Sequence, residues 1–247
     1  MKILFALCCC CLIGCGHPSP QPSATEVHKV SLTPDSLLLP PVPQALSQTA
    51  RYLDSLGLIN IAEADSSFVI DLMYTRRDNF TGTVLYEDLH EAYLHPDALN
   101  SLLKAQQLLQ KRHHGYSLII YDAARPLSVQ QKMWDKVKGT PQYQYVSNPA
   151  HGGGLHNYGL AVDVSIVDDA GKPLPMGTQV DHLGVEAHIT NEKQLVASGR
   201  ITQEEQNNRL LLRNIMQQAG FRVLPTEWWH FNWTDRNTAR KNYPIIK

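Results

Sequence analysis

The stretch LAVDVSIV, residues 160–167, alternates between apolar and polar side chains around a central aspartate. Alternation with a period of two is typical of a β-strand that buries one face. The stretch YSLIIYD, residues 116–122, is a short apolar run suited to a second, buried strand. A third extended segment is predicted for TEWWHFNW, residues 226–233, because Pro225 and the aromatic side chains favour extended backbone. These segments predict a sheet at the centre of the fold.

Three helices and one more strand are predicted around this sheet. Each helix has apolar residues at helical spacing behind a polar residue that can cap its first turn. The predicted caps are Asp97 for residues 97–112, Ser128 with Gln131 for a second helix, and Thr202 with Glu205 for a third helix that ends at Gly220. The additional strand is SSFVIDLMY, residues 66–74.

The order of these elements predicts an α+β fold. Helices and strands mix without regular alternation, and the sequence has no glycine-rich phosphate loop, which argues against a doubly wound sheet. We therefore expect one domain with a central, mostly antiparallel sheet flanked by helices. A chain of 247 residues, 43% of them hydrophobic, is long enough to build such a core. The formal net charge of −1 gives no reason to expect a nucleic-acid partner, and no pattern indicates an oligomeric state.

The amino-terminal segment MKILFALCCCCLIGC, residues 1–15, has the pattern of a targeting signal. Lys2 precedes an apolar run over residues 3–13, which is too short to span a bilayer but suits the apolar region of a signal peptide. The segment ends in LIGC and resembles a bacterial lipoprotein signal, in which cleavage before Cys15 exposes its thiol for lipidation. A plain signal peptide with a chance cysteine is the alternative interpretation.

Residues 16–45 are rich in proline and serine and are predicted to tether the lipid to a folded domain at residues 46–247. The first regular element of that domain is expected near Leu58. A lipid anchor would hold the protein in the cell envelope, on the periplasmic side of a membrane that it contacts only through the lipid. All five cysteines lie within residues 1–15, so any metal site in the domain must use His, Asp or Glu.

A candidate metal site combines two of the predicted strands. His156, Asp163 and His230 have side chains that bind zinc, and a catalytic zinc site needs three such ligands. Glu227 then remains free to act as a base. Residues seven apart point to opposite faces of a regular strand, so His156 and Asp163 share a metal only if the chain bends between them. Gly159 is the expected bend.

Two alternatives to this site come from the residues themselves. His151 lies close to His156 in the sequence and is the rival metal ligand. In the other alternative no zinc binds, and the three polar side chains form a buried hydrogen-bonded network. Glu227 and His230 would share a face on a helix, but in extended backbone a bulge or twist must bring them together.

The motifs HNYGLAVD and EWWH together resemble the zinc D-alanyl-D-alanine dipeptidases. The segments MYTRRDNFTG (73–82), YDAARP (121–126), PMGTQVD (175–181) and NRLLLRNIMQQAGF (208–221) match the same family in order and at similar spacing. The resemblance covers roughly residues 58–247. It implies a small α+β zinc peptidase fold and zinc-dependent hydrolysis of D-Ala-D-Ala or similar D,D-dipeptides to free D-amino acids, in cell-wall metabolism.

The resemblance also implies a role for each matching residue. One zinc ion would be bound by His156, Asp163 and His230. The remaining matches are Glu227 as the catalytic base, Arg125 as a stabiliser of the transition state, and Asp181 and Tyr74 in the substrate pocket, with Asp181 as partner of the free amino group. One departure is visible, because the family usually has serine shortly before the first histidine, where Gly154 and Leu155 stand here.

Other interpretations remain open at this point. Arg125 alone would be taken for a surface salt bridge with Asp122, and Asp181 alone for a loop carboxylate. A zinc D,D- or L,D-carboxypeptidase or endopeptidase that trims peptidoglycan stem peptides would use the same metal site in a longer cleft. A non-catalytic, wall-binding lipoprotein is the alternative outside enzymes, but a structural zinc site needs neither Glu227 nor Arg125.

Overall fold

The computed structural model describes residues 45–247 of the chain. The predicted signal segment with Cys15, and residues 16–44 of the predicted tether, lie outside the described residues. The helices between residues 45 and 247 are Gln48–Ser55 (α1), Ile61–Ala64 (α2), Pro96–Arg112 (α3), Leu127–Val137 (α4), Glu192–Ala197 (α5), Gln203–Ala219 (α6) and Arg236–Asn242 (α7). The strands there are Ile59–Asn60 (β1), Val69–Ile70 (β2), Tyr93–Leu94 (β3), Ser117–Asp122 (β4), Ala161–Val167 (β5), Arg222–Leu224 (β6) and Glu227–Asn232 (β7). None of these helices is both long and apolar enough to cross a membrane.

The main sheet has five strands in the order β2-β4-β5-β7-β6. Neighbouring strands run antiparallel except for the edge strand β2, which is parallel to β4. A separate pair is formed by β1 and β3. The predicted α+β fold with a mostly antiparallel sheet is therefore confirmed, although the sheet is not purely antiparallel.

The central strand β5 differs from the half-buried strand that its alternation predicts. All seven of its residues are buried, including Asp163 and Ser165, which are each 3% exposed. A buried carboxylate is costly without partners. The register supplies one partner, because Asp163 lies opposite His230 of β7, whose Nδ1 is 2.9 Å from its carboxylate. On its other side Asp163 lies opposite a second buried acid, Asp122 of β4, which is paired with Arg125. The sheet thus aligns three polar side chains at one level.

The predicted third helix agrees with α6 at both ends. Thr202 accepts a hydrogen bond from the backbone of Glu205, whose side chain accepts one in return, and Gly220 ends the helix with a φ of 108°. Helix α6 packs against α3, which in turn contacts β4. This pair of long helices contributes much of the core, with Leu102, Leu109 and Leu212 fully buried.

The other two predicted caps are wrong. Helix α3 is capped by the ring of His95, which accepts a hydrogen bond from the backbone of Asp97, so Asp97 lies inside the first turn. Helix α4 begins at Leu127 without a side-chain cap, because its N-cap residue is Pro126, which has no side-chain acceptor, and Ser128 lies inside the first turn. The amide of Leu127 donates to the carbonyl of Ile246, in a distant part of the chain.

Two further expectations need correction near the start of the domain. Helix α1 precedes Leu58 and buries Ala50 and Leu53 completely, so regular structure begins ten residues earlier than expected. Within residues 66–74 the strand is limited to β2, and the chain then forms a 3-10 turn at Met73–Thr75. That turn buries Tyr74 and directs the chain into the loop that follows.

Candidate metal centre and catalytic cleft

His156, Asp163 and His230, called the triad below, meet at one end of strands β5 and β7. The ligand atoms of the three side chains all lie within 4.8 Å of one another. Asp163 Oδ2 lies 3.3 Å from His156 Nε2, and Asp163 Oδ1 lies 2.9 Å from His230 Nδ1. The two imidazole nitrogens are 3.2 Å apart. Three electron-pair donors from separate elements therefore converge on one point.

Gly159 brings His156 back towards β5. It ends a 3-10 helix, Leu155–Tyr158, with a φ of 65°, a conformation that glycine adopts without strain. A β-carbon at this position would also lie 3.1 Å from the backbone nitrogen of His95. The bend predicted at Gly159 is therefore present, and both backbone conformation and close packing require glycine there.

Glu227 and His230 are brought together by an irregularity between β6 and β7. Val223 pairs with Phe231, whereas the next residue, Leu224, pairs with Glu227, so β7 bulges between these pairs. Glu227 Oε2 then lies 3.9 Å from His230 Nδ1. The tryptophans in between are packed inside, and Trp228 donates a hydrogen bond from its indole nitrogen to Thr178 Oγ1 at 2.8 Å. The aromatic residues of this strand thus hold Glu227 and His230 in place.

Each imidazole of the triad is oriented by a second hydrogen bond. His156 Nδ1 lies 2.7 Å from the carbonyl oxygen of Ala123, and His230 Nε2 lies 2.9 Å from Asn232 Oδ1. Because both partners are acceptors, these ring nitrogens carry the hydrogens in the neutral imidazoles. In that form the other nitrogen of each ring has a lone pair, which points to the same place as the oxygens of Asp163. Metal-binding histidines are commonly oriented in this way.

The charge balance of the triad also favours a cation. Burial opposes ionisation of Asp163, but when the two histidines are protonated, their charges and hydrogen bonds hold its pKa well below the usual range. A metal ion would take the place of those protons and would be bound by the carboxylate and by one lone pair from each ring. His151, the rival ligand, is exposed and is not part of this group within residues 45–247.

Glu227 lies beside the triad as a second buried acid. Its side chain is 13% exposed. Burial is the main reason that the pKa of Glu227 is raised to about 8, and the negative charges of Asp163 and Asp181 raise it further, while His230 and Arg125 oppose the shift. A cation bound at the triad would lower this pKa again. Glu227 is therefore suited to exchange a proton near neutral pH.

Arg125 lies at the same end of the sheet and is 8% exposed. Its Nε donates to Asp122 Oδ2 at 2.9 Å, and its Nη1 donates to Gln130 Oε1 at 2.9 Å. Its Nη2 also contacts Asp122 and lies 3.8 Å from Asp163 Oδ2. The ion pair with Asp122 is therefore present, but it lies buried beside the triad rather than on the surface.

Asp181 and Tyr74 also line the site. The Tyr74 hydroxyl donates to Asp181 Oδ1 at 2.9 Å, and the Arg125 guanidinium lies over the Tyr74 ring at 5.1 Å. Asp181 Oδ2 is buried and has no hydrogen-bond partner among the described residues. Asp181 also has a φ of 68°, which is unusual for a residue other than glycine. An unpartnered carboxylate oxygen held in a strained backbone is typical of a ligand-binding position.

The triad, Glu227, Arg125, Tyr74 and Asp181 all line one cleft of about 320 Å³. The structure thus brings together every metal-binding, catalytic and substrate-pocket residue that the sequence suggested, whereas Cys15 lies outside the described residues. It also adds residues that sequence reasoning missed, namely Gln130, Ser147, Arg209, Asn232 and Arg236. No local pattern marks these residues, because each becomes relevant only through a contact made in the folded chain.

Arg209 is the missed residue with the largest buried side chain. It lies on α6, is fully buried, and donates to the carbonyl oxygens of Met176 at 2.6 Å and of Glu186 at 2.9 Å. These two carbonyls stand at the two ends of the loop that carries Asp181. The guanidinium also lies 5.7 Å from the ring of Trp228, next to Glu227. Arg209 therefore closes the base of the Asp181 loop.

Replacing Asp181 with asparagine is expected to stabilise the metal-free protein at neutral pH. Burial is the main cause that raises the pKa of Asp181 from 3.8 to about 7. Since the folded state then binds a proton more tightly than the unfolded state, wild-type stability falls as the pH rises from about 4 to about 7. Asparagine tolerates the positive φ and lacks this cost. The free energy of unfolding should rise by about 1–3 kcal/mol at pH 8.

Urea unfolding of wild type and Asp181→Asn in a chelating buffer, at pH 4.5 and pH 8, measures this effect. The difference in the free energy of unfolding between the two proteins should be small at pH 4.5 and should reach its full size at pH 8. If the difference is the same at both pH values, Asp181 is not a buried carboxyl group that is protonated at pH 4.5. Asp169→Asn, at an exposed position outside the cleft, is the matched control.

The site has two imidazoles and a carboxylate around one point, with a buried glutamate and an arginine beside them. This combination is characteristic of a metallopeptidase. The model of the D-ala-D-ala dipeptidase family, peptidase family M15, matches residues 54–246 of this chain. The D-alanyl-D-alanine dipeptidase of Escherichia coli is 33% identical over 178 residues, which cover 72% of this chain and 85% of that protein.

Two further relatives have the same name. D-alanyl-D-alanine dipeptidases of Synechocystis sp. and Enterococcus faecium are 29% and 28% identical, over 61% and 65% of this chain and 73% and 83% of their own lengths. The chain therefore belongs to the D-ala-D-ala dipeptidase family of metallopeptidases. The family resemblance seen in the sequence motifs is confirmed.

Proposed function

We propose that this protein hydrolyses D-alanyl-D-alanine and similar D,D-dipeptides with one zinc ion at the triad. The observation that carries the proposal is the single cleft that combines a three-ligand metal site, Glu227, Arg125 and the Tyr74–Asp181 pair. The relatives named D-alanyl-D-alanine dipeptidase support the choice of substrate. The products would be free D-amino acids, and cell-wall metabolism is the proposed setting of the reaction.

The triad fits zinc in both chemistry and spacing. Imidazole nitrogen and carboxylate oxygen bind zinc at about 2.0–2.2 Å, so neighbouring ligands of a tetrahedral site lie about 3.3 Å apart. The observed separations within the triad are 2.9, 3.2 and 3.3 Å. When bound, zinc supplies Lewis acidity that makes water a better nucleophile and polarises a carbonyl group.

The chain's own residues supply the remaining chemistry. Glu227 takes a proton from the attacking water and returns it to the leaving amine. Arg125 directs its guanidinium towards the triad, where negative charge develops on the substrate oxygen in the transition state. Asp181, oriented by the Tyr74 hydroxyl, accepts the free ammonium group of the dipeptide. Binding of that ammonium needs the ionised form of Asp181, so kcat/KM should fall at acidic pH, where Asp181 becomes protonated.

A dipeptide assay with and without a chelator tests the proposal. Purified protein should release D-alanine from D-Ala-D-Ala, lose this activity in the chelator, and regain it with zinc. Metal analysis should find one zinc ion per chain, and a triad variant, Asp163→Asn, should lose most of it. A protein that binds no metal, or that is equally active in the chelator, would overturn the proposal.

The same assay separates the dipeptidase from a carboxypeptidase of stem peptides. Asp181 closes the cleft with a carboxylate that has no hydrogen-bond partner on one oxygen among the described residues, which suits a free ammonium and disfavours an acylated amine. N-acetyl-D-Ala-D-Ala should therefore be a poor substrate. If only the acylated peptide reacts, the metallopeptidase assignment stands but the substrate proposal fails.

Replacing Arg209 with methionine is expected to raise KM as well as to destabilise the fold. The Asp181 loop would lose both hydrogen bonds at its base, and the loss of a buried guanidinium near Glu192 should cost about 3–5 kcal/mol in the free energy of unfolding. Arg213→Met is the matched control, because Arg213 binds Glu192 at 2.6 Å without touching the loop. Only the Arg209 variant should raise KM for D-Ala-D-Ala. Equal KM values in both variants would contradict the positioning role.

We also propose that Cys15 anchors the protein to a membrane through lipid, on the periplasmic side of the cell envelope. The support is the sequence of residues 1–15 and the proline- and serine-rich segment behind it. Expression of the full chain in a bacterium, followed by detergent partitioning, tests this. Cys15→Ala should move the protein from the membrane fraction to the soluble fraction.

A further inference from the structure

We propose that Ser147 replaces the serine that this chain lacks before His156, and that Ser147 and Arg236 together bind the carboxylate end of the dipeptide. The inference rests on the proposed dipeptidase function. It concerns the residues that select a substrate with a free carboxylate, and it uses none of the residues assigned above to the metal or to proton transfer.

The position of the Ser147 hydroxyl is the first observation. A β-carbon built on Gly154 would lie 3.1 Å from Ser147 Oγ and 3.5 Å from Ser147 Cβ. The hydroxyl of Ser147 therefore occupies the space that a side chain at position 154 would enter. Both residues line the cleft, and Gly154 is two residues from the metal ligand His156. The hydroxyl missing from position 154 is thus present in the cleft, delivered from a different segment.

Ser147 is also held firmly. Its carbonyl oxygen accepts a hydrogen bond from Gln130 Nε2 at 2.9 Å, and Gln130 is only 2% exposed. The oxygen of the same amide accepts from Arg125 Nη1 at 2.9 Å. One buried side chain therefore links the backbone of Ser147 to the arginine beside the triad, which fixes the distance between the two parts of the cleft.

Arg236 gives this end of the cleft a positive charge. Its Nη2 donates to Ser147 Oγ at 3.1 Å, so the hydroxyl accepts from Arg236 and its own hydrogen remains free to donate. Within residues 45–247 no acceptor takes that hydrogen. Arg222, the other cleft arginine near this end, lies 3.5 Å from Asp235 Oδ2. The pair of Ser147 and Arg236 is therefore the part of this wall that is able to receive a carboxylate.

The two walls of the cleft then have opposite charges that match a zwitterionic dipeptide. Asp181 with Tyr74 receives the ammonium group, and Ser147 with Arg236 receives the carboxylate. The peptide bond between them would lie over the triad. Such a cleft selects the length of its substrate. A peptide blocked at its amino end would leave the buried Asp181 Oδ2 without a partner, and one extended at its carboxyl end would lose the contact with Ser147 and with the exposed guanidinium of Arg236.

The test compares D-Ala-D-Ala with D-alanyl-D-alaninamide, which lacks the carboxylate, in the zinc-loaded full chain. Ser147→Ala should lower kcat/KM for D-Ala-D-Ala roughly ten- to a hundredfold, mainly through KM, because it removes a hydrogen bond to a charged group. For the amide, kcat/KM should fall much less, so the preference of the enzyme for a free carboxylate should become smaller. Arg236→Gln should act in the same direction. Ser55→Ala, at an exposed position on α1, is the matched control.

Moving the hydroxyl back provides a second, sharper measurement. Gly154 has a φ of −103°, which any residue adopts, so Gly154→Ser is tolerated by the backbone. In the wild-type background the new side chain would crowd Ser147 and should lower activity. In the Ser147→Ala background the space is open, and Gly154→Ser should restore most of kcat/KM for D-Ala-D-Ala. A purely structural role of Ser147 would not produce this reciprocal rescue.

The outcomes separate this inference from the function on which it depends. If the wild-type protein with zinc does not cleave D-Ala-D-Ala, the proposed function fails. If the wild type cleaves it, but Ser147→Ala lowers kcat/KM equally for D-Ala-D-Ala and for D-alanyl-D-alaninamide, the proposed carboxylate site is wrong. The proposed dipeptidase function is then unaffected. Absence of rescue in the double variant, with an unchanged thermal midpoint, would likewise overturn the inference.

Discussion

Replacing Glu227 with glutamine is expected to lower kcat for D-Ala-D-Ala by roughly 100- to 10,000-fold, the usual contribution of a general base. Glutamine has the shape of glutamate but cannot accept the proton of the attacking water. The triad is built from other residues, and Glu227 Oε2 lies 3.9 Å from its nearest member. The variant should therefore keep its zinc. The measurement is kcat together with metal content.

The fold of this variant should be at least as stable as that of the wild type. Burial raises the pKa of Glu227 to about 8 in the metal-free chain, so the wild type loses stability as the pH rises from about 4.5 to about 8. Glutamine removes that cost, and its advantage should be greatest at alkaline pH. Glu63→Gln, at an exposed position on α2, is the matched control for both measurements. Unchanged turnover in Glu227→Gln would show that another group takes the proton.

Sequence patterns predicted the elements that depend on local chemistry. The alternation in residues 160–167 corresponds to β5, and the capping box of Thr202 with Glu205 corresponds to the start of α6. Both signals act within a few residues, and in these two elements the local preference is kept in the folded chain, unlike the caps predicted for α3 and α4. The bend at Gly159 was also predictable from nearby residues. His156 and Asp163 are seven residues apart, so they can share a metal only if the chain bends between them.

The register of the sheet could not be predicted from the sequence. It places Asp163 opposite His230, which are 67 residues apart in the chain. The bulge of β7 that brings Glu227 towards His230 depends on the pairing of that strand with β6. Pairing between distant segments is set by the packing of the whole core, and a short window of sequence contains none of that information.

The residues that support the site were missed for a related reason. Gln130 and Arg209 lie in amphipathic helices, where a polar residue is normally taken for part of the solvent-facing surface. In the structure both are buried and donate to loop carbonyls, Gln130 to that of Ser147 and Arg209 to that of Met176. The same kind of contact, between the carbonyl of Ile246 and the amide of Leu127, joins the start of α4 to a distant segment.

Arg125 is expected to have the second large effect, on both catalysis and stability. Arg125→Met leaves Asp122, which is fully buried, with the Tyr86 hydroxyl but without its guanidinium partner. Removing one partner of a buried ion pair should cost about 3–5 kcal/mol in the free energy of unfolding. Loss of the donor beside the triad should add about 3 kcal/mol to the barrier for hydrolysis.

Arg125→Lys separates these two effects. Lysine keeps the positive charge near Asp122, so most of the stability should remain, but it cannot bond Asp122 and Gln130 at once and also face the substrate. We therefore expect kcat to fall roughly 100-fold or more while the urea midpoint changes much less than in Arg125→Met. Because Gln130 would lose its donor and Ser147 its fixed position, KM for D-Ala-D-Ala should rise as well. If kcat of Arg125→Lys equals that of the wild type, the positive charge alone suffices, and the several N–H donors of the guanidinium have no part in the reaction.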